Sequence, residues 1–165
     1  MSLRSQLDWF FGTSEGVRTV VLGIGSQIRG DDAVGIAVVE HLERKAMGDV
    51  LLIKTDVRPE NFTGEIRKFN PTHVLMVDAA HFNGAPGEAR VIPTQDIGGD
   101  RISTHHLPLT DLSYFIKGTM CADVALIGIQ PESIAFGTEM TPALKRAAKQ
   151  VAETIYVAIT HRKGK

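Results

Sequence analysis

Asp32, Asp78 and His105 are the side chains whose types and placement offer chemistry first: two carboxylates and an imidazole suit a divalent first-row metal with positions left open for water or a substrate group. Taken singly, each is ordinary. An aspartate where a helix begins usually caps its unpaired N–H groups, and Asp31 and Asp32 both stand at such a start. An aspartate at a strand end is often a turn residue, and a single loop histidine is usually a surface or packing residue. What raises the three above that reading is position. Asp32 and Asp78 each follow an apolar run, and His105 closes a long loop that can return to the same edge. His81 and His106 are possible neighbours of that group, whereas His41, His73 and His161 fall where solvated or packed histidines are expected.

The elements that would place these residues are legible as β-branched and apolar runs. Thr19–Leu22 reads as a buried strand closed by a glycine turn at Gly23-Ile24-Gly25, and Val34, Val38 and Leu42 recur at helical spacing after Asp31. Val50–Ile53 is a second run, closed by Asp56, and Pro59-Glu60-Asn61 opens a short segment that can be helical through Lys68. Val74–Val77 is a third run, ending on Asp78. After the turn residues 83–87, Glu88 to Pro93 alternates weakly, as an edge or antiparallel strand would. Thr94 to Thr104 reads as a loop, Pro108 starts a helix to about Lys117, and Val124–Ile129 is a further buried strand. Thr141-Pro142 is a cap and first-turn pair for a terminal helix. Strands alternating with helices predict a mainly parallel sheet covered on both faces, whose ligands gather beyond the carboxyl ends of the strands.

Several chemistries are excluded. Gly23-Ile24-Gly25 lacks the third glycine of a dinucleotide fingerprint, since Ile28 stands there, and the following Asp31-Asp32 would repel a phosphate at the helix start. No nucleotide is expected. The chain has neither a Gly-x-Ser-x-Gly elbow nor a His-Glu-x-x-His zinc helix, and Cys121 lies in an unremarkable apolar context. Its 165 residues suit one domain with one core, and the formal net charge of -1 offers no basic field for a nucleic acid. A lone cysteine fits a reducing, cytoplasmic setting. Trp9-Phe10-Phe11 is too short for a signal-peptide core or a membrane span, so membrane insertion is not expected. Leu3, Leu7, Phe10 and Phe11 fall at helical spacing, so residues 2–11 are expected to be an amphipathic helix within an N-terminal extension (1–17) ahead of a single domain (18–165).

A competing reading is a receiver-like signalling domain, with magnesium among Asp31, Asp32 and Asp78 and phosphorylation of Asp78. It lacks the lysine wanted after the last core strand, where Gln130-Pro131-Glu132 stands. A non-enzymatic nickel-binding assembly factor is a third possibility.

In order along the chain, Gly23-Ile24-Gly25-Ser26, Gly30-Asp31-Asp32-Ala33-Val34-Gly35, Val77-Asp78-Ala79, Thr104-His105-His106-Leu107-Pro108-Leu109 and Gly128-Ile129-Gln130-Pro131 resemble the hydrogenase maturation protease family from about Thr19 to about Ile159. Asp56 with Pro59-Glu60-Asn61, and the Gly-Ile-Gln-Pro segment, are most similar to the branch serving the hydrogenase of formate hydrogenlyase. The resemblance implies a three-layer α/β/α sandwich and an endopeptidase that trims a short C-terminal peptide from the nickel-loaded large-subunit precursor of a nickel-iron hydrogenase. It implies Asp32, Asp78 and His105 as metal contacts, with nickel supplied by the substrate and other divalent metals able to occupy the site. It also makes Asp56 the catalytic candidate, although this chain reads Asp56-Val57-Arg58 where the family often has Asp-Gly-Gly.

Overall fold

Each β-branched run becomes a strand: β1 (Thr19–Ile24), β2 (Val50–Thr55), β3 (His73–Ala79) and β5 (Asp123–Ile129), with the weakly alternating segment forming β4 (Ala89–Pro93). The computed structural model describes residues 1–97 and 106–164, with the side chains of 106–108, 163 and 164 excepted. The strand order is β2-β1-β3-β5-β4, parallel throughout except that β4 runs antiparallel to β5 at the edge.

Among the described residues, five α-helices accompany the sheet: α1 (Leu3–Phe11), α2 (Val34–Glu43), α3 (Thr63–Phe69), α4 (His106–Met120) and α5 (Pro142–Thr160). Because successive strand residues point to opposite faces, each central strand feeds two cores. Val21, Leu75, Val77 and Ile127 pack with Val38 and Leu42 of α2 and Leu144, Val151 and Ile155 of α5. Val20, Leu22, Met76 and Leu126 pack with Ile66 of α3 and with Leu109, Leu112 and Ile116 of α4. The result is the three-layer sandwich.

The glycine turn after β1 begins later than the sequence suggests. Gly23 lies inside the strand, and a Cβ on it would meet the carbonyl oxygen of Gly35 and Cγ2 of Val39. A Cβ on Gly35 would in turn land on the carbonyl oxygens of Val77 and Ile24. Both glycines therefore serve close approach of helix to strand, seating the first turn of α2 over the ends of β1 and β3.

The N-terminal helix packs on the same body. Leu7 and Phe11 are buried in the core shared with α2 and α5, while Trp9 remains 80% exposed. The Ser2 hydroxyl caps α1 by accepting the Ser5 N–H. Gln6 accepts the outward N–H of Val91 through Oε1 at 2.8 Å, covering a donor that edge strand β4 would otherwise expose. Phe10 and Phe11 also flank the ring of His73, and this burial holds the imidazole pKa below its ordinary value. Leu7→Ala is therefore expected to cost about 2–5 kcal/mol of stability by leaving a core cavity, measurable by urea unfolding. An unchanged midpoint would mean that α1 is not part of the cooperative unit.

Candidate active site

In the order β2-β1-β3, the chain leaves β1 through α2 to one side and returns through α3 to the other. The ends of β1 and β3 therefore form the switch point where open α/β sheets hold their ligands. Asp32 lies in the 3-10 turn Gly30–Ala33 that follows β1, and Asp78 is the penultimate residue of β3, in register with Gly128 of β5. The seating of Gly35 against Ile24 and Val77 brings that turn onto the end of β3. Two acids 46 positions apart in the sequence are thus gathered at one sheet edge.

Both are buried, Asp32 at 3% exposure and Asp78 at 0%. Oδ2 of Asp32 accepts the Ser26 N–H at 3.1 Å, and Oδ1 of Asp78 accepts the Ala79 N–H at 2.9 Å. The glycine-rich loop fits tightly around this arrangement, since a Cβ on Gly25 would fall on the carbonyl oxygen of Asp32. Held by backbone N–H groups, the carboxylates are fixed oxygen donors of the kind a divalent cation takes. His105, the third expected contact, lies outside the described residues, as does most of the loop expected before it. Among the described residues no three His, Cys, Asp or Glu side chains converge to hold a metal ion.

The expectation that Asp31 or Asp32 caps the following helix is corrected. No side chain caps the 3-10 turn or α2. Asp32 turns back to Ser26, and Asp31 reaches across the molecule. The fully buried Asp31 carboxylate accepts the N–H groups of Glu132 (2.9 Å), Ser133 (3.1 Å) and Thr141 (2.7 Å), and the Thr141 hydroxyl at 2.9 and 3.0 Å. The expected cap pair at Thr141-Pro142 is altered for the same reason: Thr141 is the N-cap residue by position, but its hydroxyl is turned to Asp31. Asp31 is a clamp that locks the turn carrying Asp32 to the β5–α5 loop. With both oxygens so engaged, it is not the third magnesium carboxylate that a receiver reading needs.

Asp56 follows β2, one strand further out on the same edge. It is exposed, and its Oδ1 accepts the Arg58 N–H at 2.9 Å in a local turn. The structure thus gathers Asp32 and Asp78 at the switch point and leaves Asp56 in the turn after the outer strand. Gln130, which drew attention only as part of the Gly-Ile-Gln-Pro segment, is buried just beyond β5. Its Oε1 takes the N–H groups of Phe82 (2.9 Å) and Gly84 (3.2 Å), while its Nε2 lies 3.5 Å from Nδ1 of the exposed His81. It fixes the chain as it leaves the end of β3.

A doubly wound α/β domain with an acid pair buried at its switch point is the class that the fold and site define. The chain belongs to the HycI hydrogenase maturation protease family, whose model matches residues 36–158. It is accordingly a hydrolase, an endopeptidase of hydrogenase maturation. The hydrogenase 3 maturation protease of Escherichia coli strain K12 is 34% identical over 138 residues, spanning 83% of this chain and 85% of that protein. The crystal structure of the [NiFe] hydrogenase maturation protease HycI from Thermococcus kodakarensis KOD1 matches with a TM-score of 0.81 and 37% identity, covering 92% of this chain and 97% of that one. The maturating endopeptidase HybD from E. coli shares the fold, with a TM-score of 0.75 at 24% identity over 90% of this chain and 94% of its own. Among the described residues, no helix is long and apolar enough to cross a membrane.

Proposed function

We propose that this endopeptidase removes a short C-terminal peptide from the nickel-loaded large-subunit precursor of a nickel-iron hydrogenase, and that Asp32, Asp78 and His105 contact the nickel the substrate carries. The observation that carries the reading is the burial of Asp32 and Asp78 together at the β1–β3 switch point. Backbone N–H groups from Ser26 and Ala79 hold the two carboxylates at that edge. Hard oxygen donors and an imidazole suit a divalent first-row ion, so the set serves as a reader of metal loading. Hydrolysis adds water across the scissile C–N bond, with a proton passing to the leaving amine. Asp56, exposed to solvent just after the neighbouring strand, is the candidate to polarise the attacking water.

Similarity to the E. coli hydrogenase 3 maturation protease supports a hydrogenase large subunit as partner, and the resemblance of Asp56, Pro59-Glu60-Asn61 and the Gly-Ile-Gln-Pro segment points to the formate-hydrogenlyase branch. An exposed, unpaired Cys121 agrees with a cytoplasmic setting.

The test is to incubate the protease with nickel-loaded and nickel-free precursor and follow the mass of the large subunit. Trimming of the loaded form alone is expected. Equal trimming of both forms would remove nickel from the recognition step.

A further inference from the structure

His81 leaves the end of the strand that carries Asp78, and its neighbours fix both its place and the arrangement of its ring. Asp78 is in register with Gly128, and the pairing runs on past both strands, since the Ala80 N–H donates to the Ile129 carbonyl at 3.0 Å. Gln130 also stays in the ladder: its N–H donates to the Glu88 carbonyl at 2.9 Å, and its own carbonyl accepts the Gly87 N–H at 2.8 Å. Strand residues two apart share a face, so the Gln130 side chain leaves the sheet on the face of Gly128 and Asp78, roughly 7 Å further out. Val74, Met76 and Leu126 carry that face into the core beneath α4, the helix that directly follows His105 in the sequence. His81, held at the Gln130 amide, therefore stands on the side of the sheet to which Asp78 belongs.

The orientation of that amide decides the state of the imidazole. Backbone N–H groups only donate, so the atom of Gln130 that takes both Phe82 and Gly84 is its oxygen. Its Nε2 is left facing Nδ1 of His81 at 3.5 Å and the Pro131 carbonyl at 3.3 Å. An amide nitrogen also only donates, so Nδ1 is the acceptor and the proton of the neutral ring sits on Nε2. Exposed His81 thus offers an N–H donor rather than a lone pair for a metal. Asp32, Asp78 and Asp56 supply only oxygens, whereas hydrolysis of a peptide bond builds negative charge on the scissile carbonyl oxygen, which a fixed donor stabilises.

We propose that His81 is a further catalytic residue: its Nε2–H donates to the scissile carbonyl oxygen of the precursor and stabilises the oxyanion that addition of water creates. The imidazole keeps its proton throughout, and Gln130 is the positioning residue that sets its tautomer. The inference rests on the reading of the precursor as substrate.

Two measurements on the full chain test it. Heteronuclear NMR of the imidazole nitrogens without precursor, at about pH 8 where an imidazole is ordinarily neutral, should show His81 protonated on Nε2, with that preference lost in Gln130→Met. In trimming of nickel-loaded precursor, His81→Phe should lower kcat about a hundredfold, with KM within about twofold of wild type. Its melting temperature should match wild type, and His81→Gln, which restores an N–H donor, should recover part of kcat. A proton on Nδ1, a kcat within about threefold of wild type in His81→Phe, or a loss confined to KM as removal of a nickel ligand would give, overturns the proposal. A tautomer preference unchanged in Gln130→Met overturns the part given to Gln130. Failure of the wild type to trim the precursor would instead overturn the substrate reading, a result separate from the NMR, which needs no precursor.

Discussion

Asp78→Asn and Asp32→Asn should each lower cleavage of the precursor by about a hundredfold or more while leaving the fold intact. Asparagine keeps the size of the side chain and one carbonyl oxygen, so the bonds from Ala79 N–H to residue 78 and from Ser26 N–H to residue 32 can survive. What disappears is the negative charge and one of the two carboxylate oxygens. Preorganised charged groups in a water-poor site commonly contribute two orders of magnitude or more, because their orientation is fixed before the substrate arrives. Asp56→Asn should also lower the rate, though its exposure makes a smaller effect reasonable. The measurements are single-turnover trimming of nickel-loaded precursor and circular dichroism of each variant. A variant at position 32 or 78 that is folded and fully active would remove the acid pair from the mechanism.

The second large effect falls on stability. Asp31→Ala should destabilise the protein by about 3–5 kcal/mol, because it withdraws the acceptor for three backbone N–H groups and one hydroxyl. That is a large share of the total stability of a domain this size. Asp31→Asn should recover only part of it, since its amide nitrogen would turn a donor toward N–H groups that need an acceptor. Urea unfolding of both variants gives the ranking, wild type above Asn above Ala. Cleavage should fall with stability, because Asp31 acts on the site only by holding the turn that carries Asp32. An alanine variant with a wild-type midpoint would show that the clamp is not load-sharing in solution.

The contrast between Asp31 and Asp32 shows what the sequence makes legible. The strands were readable because Val20-Val21-Leu22, Val74-Leu75-Met76 and Val124–Ile127 are unbroken apolar runs, and a strand buried on both faces demands nothing else. The long helix α5 was readable from Leu144, Val151 and Ile155 along one side. The acids at the carboxyl ends followed from those runs, so Asp32 and Asp78 could be paired before any contact was known. The partners of Asp31 could not, because Thr141 lies 110 positions away and nothing local distinguishes a buried clamp from a helix cap. Gly23 misled for a related reason. Glycine signals both turns and close approach, and only the position of Gly35 shows that here it is the second.

The central claim is that the buried carboxylates at the switch point read nickel in the substrate, and a binding cycle tests it most directly. Nickel-loaded and nickel-free precursors are each titrated against wild type and against Asp32→Asn/Asp78→Asn, giving four dissociation constants and one coupling term. Tighter binding of the loaded precursor to wild type, by about tenfold or more, with that preference lost in the double variant, is the predicted result. A preference of the same size in both proteins would contradict the claim.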